Sequence, residues 1–470
     1  MAAGDRKTGQ QMSMRDQPRT RRVISFLFEN SVFLVTGALL ALVWANLDAR
    51  FETSTYHDFV EFELAEMFAG AEPDDAGQSH ASHSAVARTT HGAPHQDVSN
   101  WHSAWTIHFL VNDVFMALFF ALAVKEVWES LLPGGSLSNP RKAATPLIAT
   151  LGGIVGPAGL YIIGAIALGS FSTLGNGWAV PCATDIAFSY LVARMIFGRG
   201  HPAIAFLLLL AIADDAAGLV ILAVFYPSGE LHLTWLLATV VAIAVGCGFR
   251  NANVRSFWWY LLIPGVISWI SFYKAGIHPA LGLVPVIPTM PCGKRDLGIY
   301  ANAERHQLDT LNAFEHWWKN PVELILGLFA LVNAGVVFSS IGAGTYLVLL
   351  GLIVGKPLGI GLFTLAAVKM LKLEMPNGVN MREVVVLGCI AAMGFTVALF
   401  VSTAAFPQPG PIQSSVKMGA LASFFAPIVA FSVAKVLGVT PSPSHLGATD
   451  RLVGEVTAAA EGRVAVRTQS

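Results

Sequence analysis

The sequence has few charged residues and few cysteines, and each shortage excludes a class of protein. Only 13% of its 470 residues are Asp, Glu, Lys or Arg, whereas 54% are hydrophobic. A soluble domain carries about 25% charged residues, so the composition indicates a polytopic protein whose partner is a lipid bilayer, not a nucleic acid. The four cysteines lie in or beside apolar segments without zinc-ligand spacing, so we expect no zinc site and no disulfide framework. They are Cys182, Cys247, Cys292 and Cys389.

Twelve apolar stretches are candidates to cross about 30 Å of hydrocarbon. They lie at approximately 23–46, 105–132, 142–169, 178–198, 202–226, 232–249, 256–274, 276–291, 320–339, 345–368, 382–406 and 414–438. Most of the 29 Lys and Arg residues fall in alternate loops, together with the N-terminus, and the positive-inside rule assigns these loops to the cytoplasm. The stretch at 276–291 is short and Pro-rich, but omitting it would invert the charge pattern of every later loop. We therefore expect an all-α membrane protein of about twelve transmembrane helices, with both termini cytoplasmic.

Polar segments flank and interrupt the predicted transmembrane domain of residues 23–438. Residues 1–22 and 439–470 are predicted cytoplasmic tails, and the apolar run after the first tail indicates an uncleaved first span. Residues 47–100 form a long external loop whose histidines would either bind a metal or titrate in a flexible chain. These histidines are His80, His83, His91 and His95. Residues 295–318, before the ninth span, are typical of an interfacial amphipathic helix.

Four ionisable residues lie deep within apolar stretches: Asp185, Asp214, Asp215 and Lys356. An ionised Asp at the centre of a membrane helix costs roughly 2.5–3.5 kcal/mol, so such residues are functional candidates. If Lys356 pairs with one carboxylate, the others remain available for a proton or a cation. Hard cations prefer oxygen ligands, and Thr184 adds a hydroxyl beside Asp185. The combination is typical of a site at which a cation such as Na⁺ competes with protons.

Each of these residues also has a structural interpretation. The Asp214–Asp215 pair could form a polar turn between two short helices, although neither half would then span the membrane. Lys356 could extend its charge towards the membrane surface, and Asp185 could cap a broken helix. These alternatives predict no cation site.

Two of the predicted spans contain features that interrupt a helix. The fourth contains Pro181 in "GNGWAVPCATD", and the eleventh contains Gly388 and Gly394 among small residues. Proline removes a backbone donor, and irregular backbone at membrane depth is tolerated where it lines a cavity. Because these spans are seven apart, they would run in opposite directions. We therefore predict an inverted repeat of spans 3–5 and 10–12 with discontinuous spans 4 and 11, a pattern typical of transporters with a midplane site.

Five segments, in order, resemble the bacterial NhaA-type sodium/proton antiporters, which are known examples of that repeat architecture. They read "AVPCATDIAFSYLVARMIFGR", "LLLAIADDAAGLVILAVFY", "LFALVNAGV", "GLIVGKPLGI" and "MGFTVALFVSTAAF". The resemblance covers roughly residues 23–438. It implies pH-regulated, electrogenic exchange of Na⁺ or Li⁺ for about two protons, no cofactor, and location in the bacterial inner membrane. It also allows a homodimer through the external region occupied here by residues 47–100.

The resemblance also implies roles for individual residues. Asp215 would be the principal cation ligand and proton carrier. Asp214 would form a salt bridge with Lys356 or share the cation, with Thr184 also at the Na⁺ site. Asp185 and Lys356 would offset the positive and negative ends of the half-helices that meet at midplane.

Further residues resemble the family's pH-responsive positions. They are Asp113, Glu126, Glu129, Glu315 and His316. The family's "LEVKREL" reads "KEVWESL" here, so Ser130 replaces one acidic residue and Lys125 precedes Glu126. His278, in "KAGIH", matches a family histidine position but is equally consistent with a structural role at a helix end.

Two other functions are compatible with membrane-embedded carboxylates. A sodium-coupled symporter would use the same ion site together with an organic solute. An intramembrane aspartyl protease would use two aspartates that share a proton, but such enzymes usually place Gly just before one catalytic Asp, whereas Thr184 and Ala213 occupy those positions here. Lys356 also has no role in that chemistry.

Overall fold

The computed structural model describes residues 31–63, 106–292 and 309–439, apart from residues 136, 139, 199, 376 and 377. Secondary structure within these residues is helical, with an isolated β-bridge between Glu63 and Thr106. The predicted tail at 1–22 and all but the first residue of the predicted tail at 439–470 lie outside the described residues. So do the four predicted loop histidines, His80, His83, His91 and His95, and residues 295–308 of the predicted amphipathic helix.

Fourteen helices organise the described chain. They are α1 (Val32–Phe51), α2 (Thr55–Val60), α3 (Ile107–Leu131), α4 (Pro140–Ala167), α5 (Phe171–Cys182), α6 (Ile186–Phe197), α7 (Pro202–Phe225), α8 (Leu233–Asn251), α9 (257–275), α10 (Thr310–Asn333), α11 (Ala343–Lys369), α12 (Met381–Ala391), α13 (Phe395–Ala405) and α14 (Pro411–Val436). Helices α3, α9 and α11 each contain a turn of π-helix.

The described residues contain seven helices long and apolar enough to cross a membrane, or nine if each of two bent pairs is one span. The seven are α1, α3, α4, α7, α8, α11 and α14. The bent pairs are α5–α6, with an angle of 54°, and α12–α13, with an angle of 53°. Both predicted helix interruptions are therefore confirmed, whereas the count of twelve spans is not. Helices α9 and α10 cover the predicted spans at 256–274 and 320–339 but are less apolar.

Two predicted segments differ from the structure, and two others join into one helix. The loop predicted at 47–100 begins with helix, because α1 continues to Phe51 and α2 follows. The stretch at 276–291 forms 3₁₀ turns from Pro279–Leu281 to Ile287–Thr289, since prolines at short intervals remove the donors an α-helix needs. Residues 310–318 of the predicted amphipathic helix are helical and continue into the predicted span at 320–339 as one helix, α10. The Asp309 side chain caps this helix by accepting a hydrogen bond from Asn312 N at 2.8 Å.

Helices α4 and α11 pack through glycines. A Cβ atom on Gly152 would collide with the carbonyl oxygen of Gly359, and a Cβ on Gly355 would lie 2.7 Å from the Cα of Pro157. Small residues allow membrane helices to approach at backbone distance, where van der Waals contact replaces the hydrophobic driving force. This contact holds Lys356, which lies between Gly355 and Gly359, in the bundle interior.

Candidate functional site

The two broken helices cross at their breaks. The backbone N–H of Asp185, between α5 and α6, donates to the carbonyl oxygen of Met393, between α12 and α13, at 2.7 Å. Gly394 lies so close to the first break that a Cβ on it would be 2.7 Å from the Ala183 carbonyl oxygen. The glycine is needed for this approach, and the crossing places four helix ends together in the bundle interior.

Asp185 occupies the N-cap position of α6. Its side chain accepts a hydrogen bond from the backbone N–H of Phe188 at 3.4 Å and another from the hydroxyl of Thr396. A carboxylate at this position offsets the partial positive charge of a helix N-terminus. The structure therefore gives Asp185 the capping role that the sequence left open.

Lys356 is fully buried and lies beside the C-terminal end of α5, across the first break from the start of α6. Its ammonium group donates to the carbonyl oxygen of Cys182, the last residue of α5, and lies 3.0 Å from Oδ2 of Asp214. The hydroxyl of Thr184 donates to the same Oδ2 at 2.7 Å. Lys356 thus offsets the partial negative charge of the α5 C-terminus and neutralises Asp214.

Asp215, one residue further along α7, has different surroundings from Asp214. Within the described residues its side chain has no hydrogen bond or ion pair, and it lines two cavities. The larger, which we call the acidic cavity, has a volume of about 220 Å³. Its polar lining residues are Ser31, Glu126, Thr184, Asp185, Asp215, Glu315, Lys319, Glu323 and Thr396. The smaller, the apolar cavity, has a volume of about 30 Å³ and is lined mainly by Phe, Leu, Ile, Val and Ala side chains.

The predicted pH-responsive residues are only partly brought together. Glu126 and Glu315 line the acidic cavity. Lys125 is buried and forms ion pairs with Glu315 and, at 2.5 Å, with Glu129. His316 is exposed and lines neither cavity.

Asp113 also lines neither cavity. It lies on the π-helical turn of α3, with Oδ1 at 3.6 Å from Nδ1 of His278. Nδ1 of His278 also accepts the backbone N–H of Ala280 at 3.3 Å and so caps the first 3₁₀ turn of the 276–291 segment. The histidine thus has the structural role that the sequence had allowed for it.

Sequence reasoning missed four of the polar residues that line the acidic cavity: Ser31, Lys319, Glu323 and Thr396. Thr396 lies two residues after Gly394, the N-cap of α13, so its distance from this glycine was the available signal. Glu323 lies in "PVELILGLF", and an ionisable residue within that apolar run was a signal of the same kind as Lys356.

Comparison with known proteins identifies the family of the chain. Residues 24–434 match the family model described as Na⁺/H⁺ antiporter 1. The chain is 49% identical over 442 residues to the Na(+)/H(+) antiporter NhaA of Jannaschia sp. (strain CCS1), covering 89% of this chain and 98% of the relative.

Two further relatives are similar over the same extent. The NhaA antiporter of Desulfitobacterium hafniense (strain DSM 10664 / DCB-2) is 44% identical over 423 residues, covering 89% of this chain and 97% of the relative. The NhaA antiporter of Geobacter sulfurreducens is 43% identical over 427 residues, covering 90% of this chain and 100% of the relative. The chain is therefore an integral membrane protein of the Na⁺/H⁺ antiporter 1 family, whose members are transporters and not enzymes.

Proposed function

We propose that this protein exports Na⁺ or Li⁺ across the bacterial inner membrane in exchange for about two protons, by alternating access and under control of pH. The observation that carries the proposal is the contrast between the two adjacent aspartates. Asp214 is neutralised by Lys356 at 3.0 Å, whereas Asp215 lines the acidic cavity without a side-chain partner among the described residues.

Exchange follows from the charge balance of this site. A carboxylate buried without a counter-charge is unfavourable by several kcal/mol, so Asp215 holds either a proton or a cation whenever the cavity closes. A cation shared by both aspartates has to displace the Lys356 ammonium from Asp214. The ion and the protons then compete for the same oxygens, which makes the exchange obligatory.

Alternating access requires the site to close on one side before it opens on the other. The crossed breaks supply backbone that is not held in continuous helix, and we assign spans 3–5 and 10–12 to an inverted repeat that moves around them. The acidic cavity, which lies at the N-terminal end of α10, is assigned to the cytoplasmic side. Glu126, Glu315 and the Lys125 ion pairs at that side are assigned to the pH response.

Purified protein in liposomes tests the proposal. With an acidic lumen reported by a pH-sensitive dye, Na⁺ or Li⁺ added outside should dissipate the pH gradient, whereas K⁺ and choline should not. Clamping the membrane potential with K⁺ and valinomycin should raise the initial rate, because unequal exchange otherwise builds an opposing potential.

Two results would contradict the proposal. Dependence of Na⁺-driven proton movement on an added organic solute would identify a symporter. Dissipation that is equal with Na⁺ and with choline would show that the protein leaks protons and does not exchange them.

A further inference from the structure

The acidic cavity contains a carboxylate, Glu323, that the proposed exchange does not use. Glu315, Lys319 and Glu323 follow one another at intervals of four residues on α10, and all three line the cavity. Residues at this spacing lie on one face of a helix. With a rise of 1.5 Å per residue, Glu323 lies about 12 Å deeper along the helix axis than Glu315.

The neighbours of Glu323 connect it to the exchange site. Asp185, Lys319 and the Ser31 hydroxyl all interact with it, and Ser31 also lines the cavity. Asp185 in turn lines the same cavity as Asp215. The cavity thus presents the carboxylates of Glu315, Glu323 and Asp215 along one lining, with Glu323 deeper along α10 than Glu315.

Two other carboxylates near the exchange site already form ion pairs. Glu315 forms an ion pair with Lys125, and Asp214 with Lys356. Within the described residues Glu323 forms no ion pair, and its Oε2 atom is buried without a hydrogen-bond partner. Buried polar atoms are nearly always partnered, so an exception needs a physical explanation.

A cation with its bound water would supply a partner for this oxygen. A volume of about 220 Å³ holds several waters, at roughly 30 Å³ each, so an ion can enter with part of its hydration shell. Hard monovalent cations prefer carboxylate, hydroxyl and water oxygens, which are the groups found around Glu323.

We propose that Glu323, with the Ser31 hydroxyl, forms a second, transient cation site at which Na⁺ or Li⁺ stops between the entrance of the acidic cavity and Asp215. This site rests on the proposed exchange function, because its ion is the transported one. It raises the local cation concentration beside Asp215 and takes no part in the exchange itself.

The kinetic consequence is specific. Loss of the Glu323 charge should raise the apparent KM for Na⁺ roughly threefold to thirtyfold, with little change in maximum rate. Glu323→Gln removes the charge, and Glu323→Asp keeps it. Glu374→Gln is the matched control, because it removes an exposed carboxylate outside the cavity.

The experiment measures Na⁺-driven dissipation of a pH gradient in liposomes over a range of Na⁺ concentrations, at several pH values. Melting temperatures of the purified variants check folding. A raised KM in Glu323→Gln, with Glu323→Asp and Glu374→Gln close to the unmodified protein, is the expected result. If Glu323→Gln does not fold, a KM for Glu323→Asp within threefold of the unmodified protein supports the site, and a larger rise overturns it.

Three other outcomes would overturn the proposal. The KM of Glu323→Gln could equal that of Glu374→Gln. The maximum rate of a folded Glu323→Gln protein could collapse, which would place Glu323 in the exchange itself. The pH profile could move without any change in the Na⁺ KM, which would identify a proton carrier. Absence of Na⁺-driven exchange by the unmodified protein is a separate result, because it contradicts the proposed function and not Glu323 alone.

Discussion

The two cavities beside Asp215 differ in size and in chemistry. The acidic cavity is about 220 Å³ and lies among Glu126, the start of α6 and the first half of α10. The apolar cavity is about 30 Å³ and lies along α7 beyond Asp215, between residues 218–222 and the side chains of Phe119 and Phe120. A hydrated cation fits the first and not the second. The acidic cavity is therefore the side from which the proposed exchange would admit the ion, and the apolar cavity is the side that would have to open for its release.

Replacement of Asp215 should have the largest effect on transport, because Asp215 lines both cavities. Asp215→Asn keeps the shape of the side chain but cannot hold a proton or neutralise a cation. We expect Na⁺-driven dissipation of the pH gradient in liposomes to fall below detection while the protein remains folded. The Glu374→Gln control should keep full activity. Substantial transport by Asp215→Asn would remove this residue from the mechanism.

Removal of Lys356 should have the next largest effect, on stability. Lys356→Ala leaves Asp214 buried without its counter-charge, and breaking a buried ion pair in this way costs about 3–5 kcal/mol. We expect a marked fall in melting temperature in detergent. The double variant Lys356→Ala/Asp214→Asn removes both charges and should recover part of the loss. If the double variant is no more stable than the single one, the two residues are not coupled.

Filling the apolar cavity should impede opening on the closed side. A Cβ on Gly218 would meet no other atom within 4 Å, so Gly218→Ala should be tolerated. Gly218→Leu fills the space through which the outward route would open, and we expect its maximum transport rate to fall roughly tenfold, which corresponds to about 1.4 kcal/mol in the barrier. Stabilisation by Na⁺ in a thermal-shift assay should persist. Equal rates for the Ala and Leu variants would show that this cavity does not lie on the transport route.

Breaking the ion pairs at the acidic cavity should have the smallest effect. Lys125 is 5% exposed but Glu315 is 36% exposed, so the loss of stability in Lys125→Met should lie between those of surface and buried pairs, at about 1–2 kcal/mol. The freed Glu315 carboxylate should lower the apparent KM for Na⁺ roughly twofold to threefold. Lys369→Met, at an exposed position, is the control. A KM that rises in Lys125→Met would contradict the electrostatic account of the cavity.

Some parts of the structure could be predicted from the sequence because they depend on local chemistry. Pro181 and Gly394 indicate helix breaks whatever segments pack around them. Two adjacent aspartates in an apolar run are exceptional in any membrane helix. The 276–291 segment was predicted incorrectly because its hydropathy is suitable for a span, whereas its prolines prevent an α-helix. Hydropathy alone could not distinguish a membrane-spanning α-helix from a series of 3₁₀ turns.

Other parts depend on contacts between distant segments. The different contacts of Asp214 and Asp215 arise because Lys356, 142 positions along the chain from Asp214, reaches only one of them. From the sequence alone, Glu323 is a polar residue near the start of a predicted span. Only the packing of α10 against α1, α3 and α13 places it in the acidic cavity.

The most direct test of the central claim measures protons released when Na⁺ binds. Purified protein in weakly buffered detergent solution, with a pH indicator, should release protons on addition of NaCl and not on addition of choline chloride. Asp215→Asn should release fewer protons or none, while Glu374→Gln should match the unmodified protein. Proton release that is unchanged in Asp215→Asn, or Na⁺ binding by the unmodified protein without any proton release, would contradict competition of cation and protons for this carboxylate.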